Sequence, residues 1–396
     1  MFIETIELFM EKKDYSVLLI GNFESVFVVQ FVKNLKKSNP YAHLYFWGYT
    51  RDESDTDRSF IDCYDEYSFF NIKRIINSSV FWRLKAIVQL RKSFRTFVSD
   101  KHFDYINIHY IKPEYFFILD YLKSHASTLV LSPWGSDVYG AKGINKLLVK
   151  RTFNSADYIT GGDGRFAKDF MQIFSVPEKK FVLCKIGVET IEYIIEHKNL
   201  IDINEAKRRL GIENKYVITC GYKAMSSHQH LRIIEAIREV KDQLPSNLLL
   251  LFPLTYPNDP KYVQEIKEKV EKYGLEAVYY DHFLDMQNLF LLRQATDMFI
   301  HVQPTDASSA SLWEYILCEK KIVNGAWLQY PELIKNGVTP YFVVNSLDTL
   351  GQKIVEVYQS KPIKMEKELF LDFEKKQWKV VIRDWDLFFS GNIIQE

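Results

Sequence analysis

The chain alternates short, wholly apolar runs with longer segments whose apolar positions recur every three or four residues. Residues 15–21 (YSVLLIG) form such a run and end in glycine. After a turn at 22–25, Val28, Val29, Phe31, Val32 and Leu35 predict a helix over 26–37. Residues 43–47, 104–109 (DYINIH) and 128–132 (TLVLS) read as further strands. The same opening recurs at 215–221 (KYVITCG), followed by a polar loop over 222–229 and a helix over 230–240. Strands at 248–252 (LLLLF) and 277–280 follow. Strands alternating with helices predict a parallel, doubly wound α/β sheet, and the repeated opening predicts two Rossmann-like domains. The polar segment 196–213 marks the boundary, giving expected domains at 1–200 and 201–375 and a terminal segment at 376–396. Trp378 and Trp385, seven apart, share one face of a polar helix there, which is expected to pack that face.

One stretch combines these signals with chemistry. An apolar strand over 297–300 runs into a polar loop of small residues at 304–309, then into a helix through Leu312, Trp313 and Leu317. Free backbone N–H groups and the helix dipole make such a junction an anion site. Asp306 and Glu314 lie eight positions apart across it. A carboxylate at Glu314 can accept two hydrogen bonds from a sugar diol. Ser311-x-x-Glu314 also fits a capping box, in which Glu314 would only satisfy a backbone N–H.

Composition narrows the classes. The 396 residues are 47% hydrophobic, enough for two cores. Lys+Arg and Asp+Glu are both 51, so net charge points to no nucleic-acid partner. Cys63, Cys184, Cys220 and Cys318 are scattered, as free thiols in a reducing compartment are. The opening residues lack a cationic start and an apolar core, and no window is apolar enough to span a bilayer, so a soluble or peripheral protein is expected. Residues 71–101 carry eight cations against one acid, interleaved with apolar and aromatic residues. That segment fits either an anionic membrane surface or a surface helix turned to a core. Neither Gly21 nor Gly221 opens a G-x-G-x-x-G, which disfavours a dinucleotide-dependent oxidoreductase. No His/Cys cluster or DxD-like pair calls for a metal.

Together these stretches resemble the GT-B glycosyltransferases, in which two Rossmann-like domains face each other across a cleft, and among them the retaining family 4. The family's Glu-x7-Glu pair reads Asp306-x7-Glu314 here, and its Gly-Phe-Gly reads Ala-Ser-Ser. The resemblance implies that Glu314 binds the ribose of a nucleotide and that Asp306 faces the donor sugar. It implies that Ser308, Ser309 and Ser311 offer groups to the diphosphate. In residues 220–237 (CGYKAMSSHQHLRIIEAI), Lys223 and His228 stand near the family's diphosphate-binding Arg and Lys, beyond Gly221. Lysine binds phosphate as a point charge, whereas His228 would be cationic only if its pKa were held up. Phe283 and Leu284 match positions that contact the base through backbone groups.

On the acceptor side, residues 132–138 (SPWGSDV) resemble the family's His-Gly-Ser/Thr-Asp, with Trp134 in place of His, Gly135 allowing close approach, and Ser136 or Asp137 free to hold a hydroxyl. Gly21 and Asn22 match the glycine loop facing the acceptor. Residues 155–160 and 185–189 are also similar and read as structural. The C-terminal helix would cross back onto the first domain. Residues 253–259 (PLTYPND) and 303–315 (QPTDASSASLWEY) resemble bacterial transferases of lipid-linked surface glycans. The implied reaction is metal-independent sugar transfer from a nucleotide sugar, with no cofactor, to a glycan or polyprenyl-diphosphate-linked acceptor in surface polysaccharide synthesis. The implied place is the cytoplasm, at the inner face of the membrane. Two alternatives stay open: a nucleotide-sugar epimerase on the same architecture, and a non-catalytic partner of a transferase pair. The sequence names neither sugar, base, acceptor, linkage nor oligomeric state.

Overall fold

The structure is a computed structural model and describes residues 14–49, 60–70, 80–161, 165–255, 259–306 and 309–392. The chain forms two compact units, one of residues 1–187 with 378–396, the other of residues 188–377.

The first unit is built on seven parallel strands: β1 (Ser16–Asn22), β2 (His43–Tyr49), β3 (Glu66–Phe69), β4 (Phe103–His109), β5 (Ala126–Ser132), β6 (Tyr158–Thr160) and β7 (Phe181–Val182). Their spatial order is β3-β2-β1-β4-β5-β6-β7. The central strands read as continuous apolar runs because both sheet faces are covered. Val17, Leu18, Leu19 and Ile20 are all fully buried. The helix Val26–Ser38 turns Val28, Phe31, Val32 and Leu35 onto one face of the sheet. There it meets the helix Trp378–Phe389, whose Trp385 ring lies 4.7 Å from that of Phe31. Trp385 Nε1 donates to the Lys185 carbonyl at 2.7 Å, and Trp378 Nε1 to Gln30 Oε1 at 2.9 Å. Burying two indoles is favourable here because each polar tip finds an acceptor.

In the basic segment, residues 71–79 lie outside the described ones, and the helix Val80–Val98 follows. Leu90, Phe94, Phe97 and Val98 join the core, so its apolar side serves the fold. Arg91 is held by Asp120 at 2.6 Å. Leu84, Lys85, Val88, Lys92 and Arg95 face outward. Among the described residues no helix is long and apolar enough to cross a membrane.

The second unit carries six parallel strands: β8 (Tyr216–Cys220), β9 (Leu248–Pro253), β10 (Ala277–Tyr280), β11 (Met298–His301), β12 (Lys321–Gly325) and β13 (Phe342–Val344). Their order is β10-β9-β8-β11-β12-β13. The helix Glu189–His197 belongs to this unit, with Ile191 and Ile194 in its core. The first unit therefore ends at Gly187 rather than at residue 200. That helix looks polar in sequence, and only its one buried face assigns it.

Candidate functional site

In the second unit the strand order reverses between β8 and β11, so the loops leaving their C-terminal ends part to opposite faces and leave a site between them. β8 leads into Gly221, which has φ +61°, and a Cβ there would come within 2.8 Å of His230 Nε2. Glycine is required by both conformation and space. The following loop brings in Tyr222, Lys223 and His228. β11 ends at His301 and leads to Gln303 and Asp306.

Asp306 is the hub. Its Oδ2 accepts hydrogen bonds from Gln303 Nε2 (2.7 Å) and Tyr330 Oη (3.1 Å), and lies 3.5 Å from His301 Nε2. Gln303 Nε2 also donates to the Tyr222 hydroxyl at 3.1 Å, so loops after β8, β11 and β12 are tied together. Burial, and then Asp306, hold the Tyr330 phenol well above its ordinary pKa, so it stays a proton donor. Asn324 Nδ2 donates to two backbone carbonyls, Gly325 and Leu328. Its Oδ1 therefore accepts, and His301 Nδ1, 2.8 Å away, carries the proton. His301 Nε2, fully buried, has no hydrogen-bond partner and faces Asp306.

His228 departs from a cationic role. Burial, followed by the charges of Lys223 and His301, pushes its pKa down to about 4, so it is a neutral imidazole at physiological pH. Lys223 is half-buried, its ammonium 5.4 Å from the Tyr222 ring centre.

The helix Ala310–Leu317 starts beside this cluster. Its cap is Ser309, whose Oγ accepts from the Leu312 N–H at 3.2 Å. The expected capping box is thus absent, and Glu314 is the helix's fifth residue. Its carboxylate is 4% exposed and taken up elsewhere: Oε2 by Arg293 Nε (2.9 Å), Oε1 by Thr190 Oγ1 (2.6 Å). Arg293 also donates to Tyr315 Oη at 2.9 Å and Ser311 Oγ at 3.4 Å, so one buried guanidinium organises the helix's first two turns. Burial opposes its charge, but Tyr315 and Glu314 more than offset this and raise its pKa. Thr190, Arg293 and Glu314 line a small recess with Tyr193, Met286 and Phe290. Leu284 is buried in the core and Phe283 is exposed, while Ala307 and Ser308 lie outside the described residues.

In the first unit the order reverses between β1 and β4. Gly21 ends its apolar run against His109: a Cβ there would meet the His109 carbonyl at 3.2 Å. Asn22 Oδ1 accepts from the Glu24 N–H at 3.3 Å, closing the turn. Gly135 has φ +100° and starts the short helix Ser136–Tyr139, where the Ser136 side chain is not described. Asp137, expected to meet a substrate hydroxyl, is a loop clamp instead. Its two oxygens accept the N–H groups of Ile111 (2.8 Å) and Trp134 (2.9 Å), and it is buried. Trp134 packs near Phe27, Tyr110 and His109. His109 is buried with neither ring nitrogen hydrogen-bonded, and burial pushes its pKa down to about 3.

Sequence reasoning missed Thr190, Arg293, Gln303, Tyr330 and His109. His109 and His301 left one trace, a lone histidine closing an apolar strand. Thr190, Arg293 and Tyr330 are set by contacts 21 to 124 positions away, whereas Gln303 reaches Asp306 from three positions before it. Among the described residues no group of His, Cys, Asp and Glu is placed to hold a metal ion.

Residues 16–161 match the family model described as Glycosyl transferase 4-like. No curated protein matches by sequence. A glycosyltransferase from Rickettsia africae superposes with TM-score 0.66 at 13% identity, covering 96% of this chain and 99% of that one. HepE from Anabaena, in complex with UDP and glucose, gives 0.63 at 14% identity, covering 95% and 100%. Sucrose-phosphate synthase from Thermosynechococcus elongatus gives 0.67 at 10% identity, covering 95% and 98%. At these identities the structures establish the fold.

Proposed function

We propose that this chain, which has the GT-B fold, is a glycosyltransferase that moves a sugar from a nucleotide diphosphate donor to a glycan or polyprenyl-diphosphate-linked acceptor. We place that reaction in surface polysaccharide synthesis, at the inner face of the membrane. The observation that carries the donor site is the Asp306 hub at the β8–β11 switch point, beside Lys223 and the start of the helix Ala310–Leu317. The similar HepE structure holds UDP and glucose, which makes UDP-glucose the first donor to test.

The physical demand is charge. The departing diphosphate gains negative charge as the glycosidic bond breaks, and the sugar becomes oxocarbenium-like. Lys223 and the helix N–H groups stabilise that state more than the ground state. Neutral His228 contributes a hydrogen bond rather than charge. Asp306, held by Gln303 and Tyr330, orients sugar hydroxyls. Two of the roughly four lone-pair directions of the Glu314 carboxylate are used by Arg293 and Thr190, leaving the others for a ribose diol. In a retaining course the acceptor attacks from the leaving-group face, and the diphosphate takes its proton.

A second reading, a non-catalytic partner subunit, is favoured by one observation: both Glu314 oxygens already have protein partners. Calorimetry with UDP and UDP-glucose, using wild type, Asp306→Ala and Glu314→Ala, tests the donor site. Equal affinity in all three removes these residues from it. Donor turnover by the purified chain decides against the partner reading, and binding without turnover decides for it.

A further inference from the structure

A groove of about 540 Å³ opens in the second unit beside the Asp306 loop. It lies between the start of the helix His230–Glu239 and the loops that follow β11, β12 and β13, and Gln229, Arg232, Trp327, Asn345, Ser346 and Asp348 form its polar and aromatic wall.

The indole of Trp327 is fixed there. Its Nε1 donates to the Gln303 carbonyl at 2.7 Å. Its ring lies so close over Gly325 that a Cβ at that position would sit 2.5 Å from it. Yet the residue remains 38% exposed. A rigid, half-exposed indole loses little side-chain entropy when a ligand covers it, and apolar C–H faces pack well on it.

The rest of the wall is polar without being an anion trap. Arg232 Nη2 is paired with Asp348 Oδ1 at 2.7 Å, so the two charges largely cancel. At the start of the helix His230–Glu239 the Tyr262 hydroxyl lies 3.2 Å from His230 Nδ1. Gln229 spends no side-chain hydrogen bond on capping that helix. The groove thus offers planar amide, carboxylate and guanidinium groups around an aromatic platform. The matching chemistry is an uncharged ring with one C–H face and a rim of hydroxyls.

We propose that this groove binds a pyranose unit of the acceptor glycan, distinct from the sugar being transferred; this rests on the glycosyl-transfer reading. The groove is wired to the reaction site through two hydrogen bonds, Trp327 Nε1 to the Gln303 carbonyl and Gln303 Nε2 to Asp306. A sugar seated on Trp327 stiffens the loop that holds Asp306.

The test is saturation-transfer NMR on the full chain, with methyl glucoside, galactoside and mannoside and their short oligosaccharides as probes. It is repeated with saturating UDP and with UDP-glucose. Wild type is expected to contact at least one probe in all three conditions. Trp327→Ala should weaken that contact roughly five- to tenfold, the worth of one aromatic platform. Asp348→Asn, which keeps the shape, should weaken it less and guards against misfolding of the first variant. Displacement by UDP-glucose but not by UDP assigns the groove to the donor's own sugar and overturns the acceptor assignment. Equal contact in wild type and both variants overturns the groove itself. Donor hydrolysis measured on the same samples separates the two readings: turnover without sugar contact at Trp327 retires the groove and leaves glycosyl transfer standing.

Discussion

Arg293 Nε donates to Glu314 Oε2 at 2.9 Å, and the two side chains are only 4% and 5% exposed. Removing one partner leaves a buried charge uncompensated. Arg293→Met should therefore cost about 3–5 kcal/mol of stability, whereas the double variant Arg293→Met/Glu314→Leu should recover much of it. Urea denaturation of the single and double variants measures this. A double variant no more stable than Arg293→Met would mean that the pair is not the source of the cost.

Asp306 and Tyr330 differ in what they touch. Asp306 is the hub of the proposed donor site, so Asp306→Asn should lower turnover about 100-fold with little change in melting temperature. Tyr330→Phe removes one hydrogen bond to that carboxylate and should cost about five- to tenfold. Steady-state kinetics with the donor identified by calorimetry give both values. A larger loss for Tyr330→Phe than for Asp306→Asn would reverse the roles.

Acid sensitivity follows from three buried histidines. Burial holds His109 and His230 at about 3 and His228 at about 4, against 6.5 in a free chain. The unfolded chain therefore binds protons near pH 6.5 that the folded chain refuses. Stability is fully present above that value and is lost as pH falls toward the folded values. At about pH 5.5 each group should cost roughly 1.4 kcal/mol. Ordinary carboxylates are still ionised there, so melting curves between about pH 7 and 5.5 report on the histidines. His230→Gln should flatten the profile; an unchanged slope would exclude His230.

Membrane association, if present, uses the outward strip of the helix Val80–Val98. Lys85, Lys92 and Arg95 face outward, so they are the cations to reverse. Each contributes on the order of 1 kcal/mol at an anionic surface, and the triple reversal should abolish sedimentation with phosphatidylglycerol vesicles. Absence of binding by wild type ends the peripheral reading.

The long apolar runs were legible: β1, β4, β5, β8 and β9 appear within one or two residues of expectation. Four of the short strands were not. β3, β6, β7 and β13 have two to four residues each and owe their pairing to neighbours rather than to their own pattern. The basic segment carried two readings, because its apolar positions have helical spacing whether they meet lipid or Phe103 and Tyr115 in a core.

The sequence determined the two parallel sheets, since continuous apolar strands between amphipathic helices have one economical way to bury both faces. It also located the junction at Asp306 and Glu314, because a strand running through small residues into a helix is a local pattern. Only the tertiary structure decided who holds those carboxylates. Glu314 is gripped by Arg293 and by Thr190, the latter 124 positions away, and Asp137 by the Ile111 N–H 26 positions before it. A carboxylate's partners are set by which atoms the packed chain brings within hydrogen-bond reach, and no local periodicity encodes that.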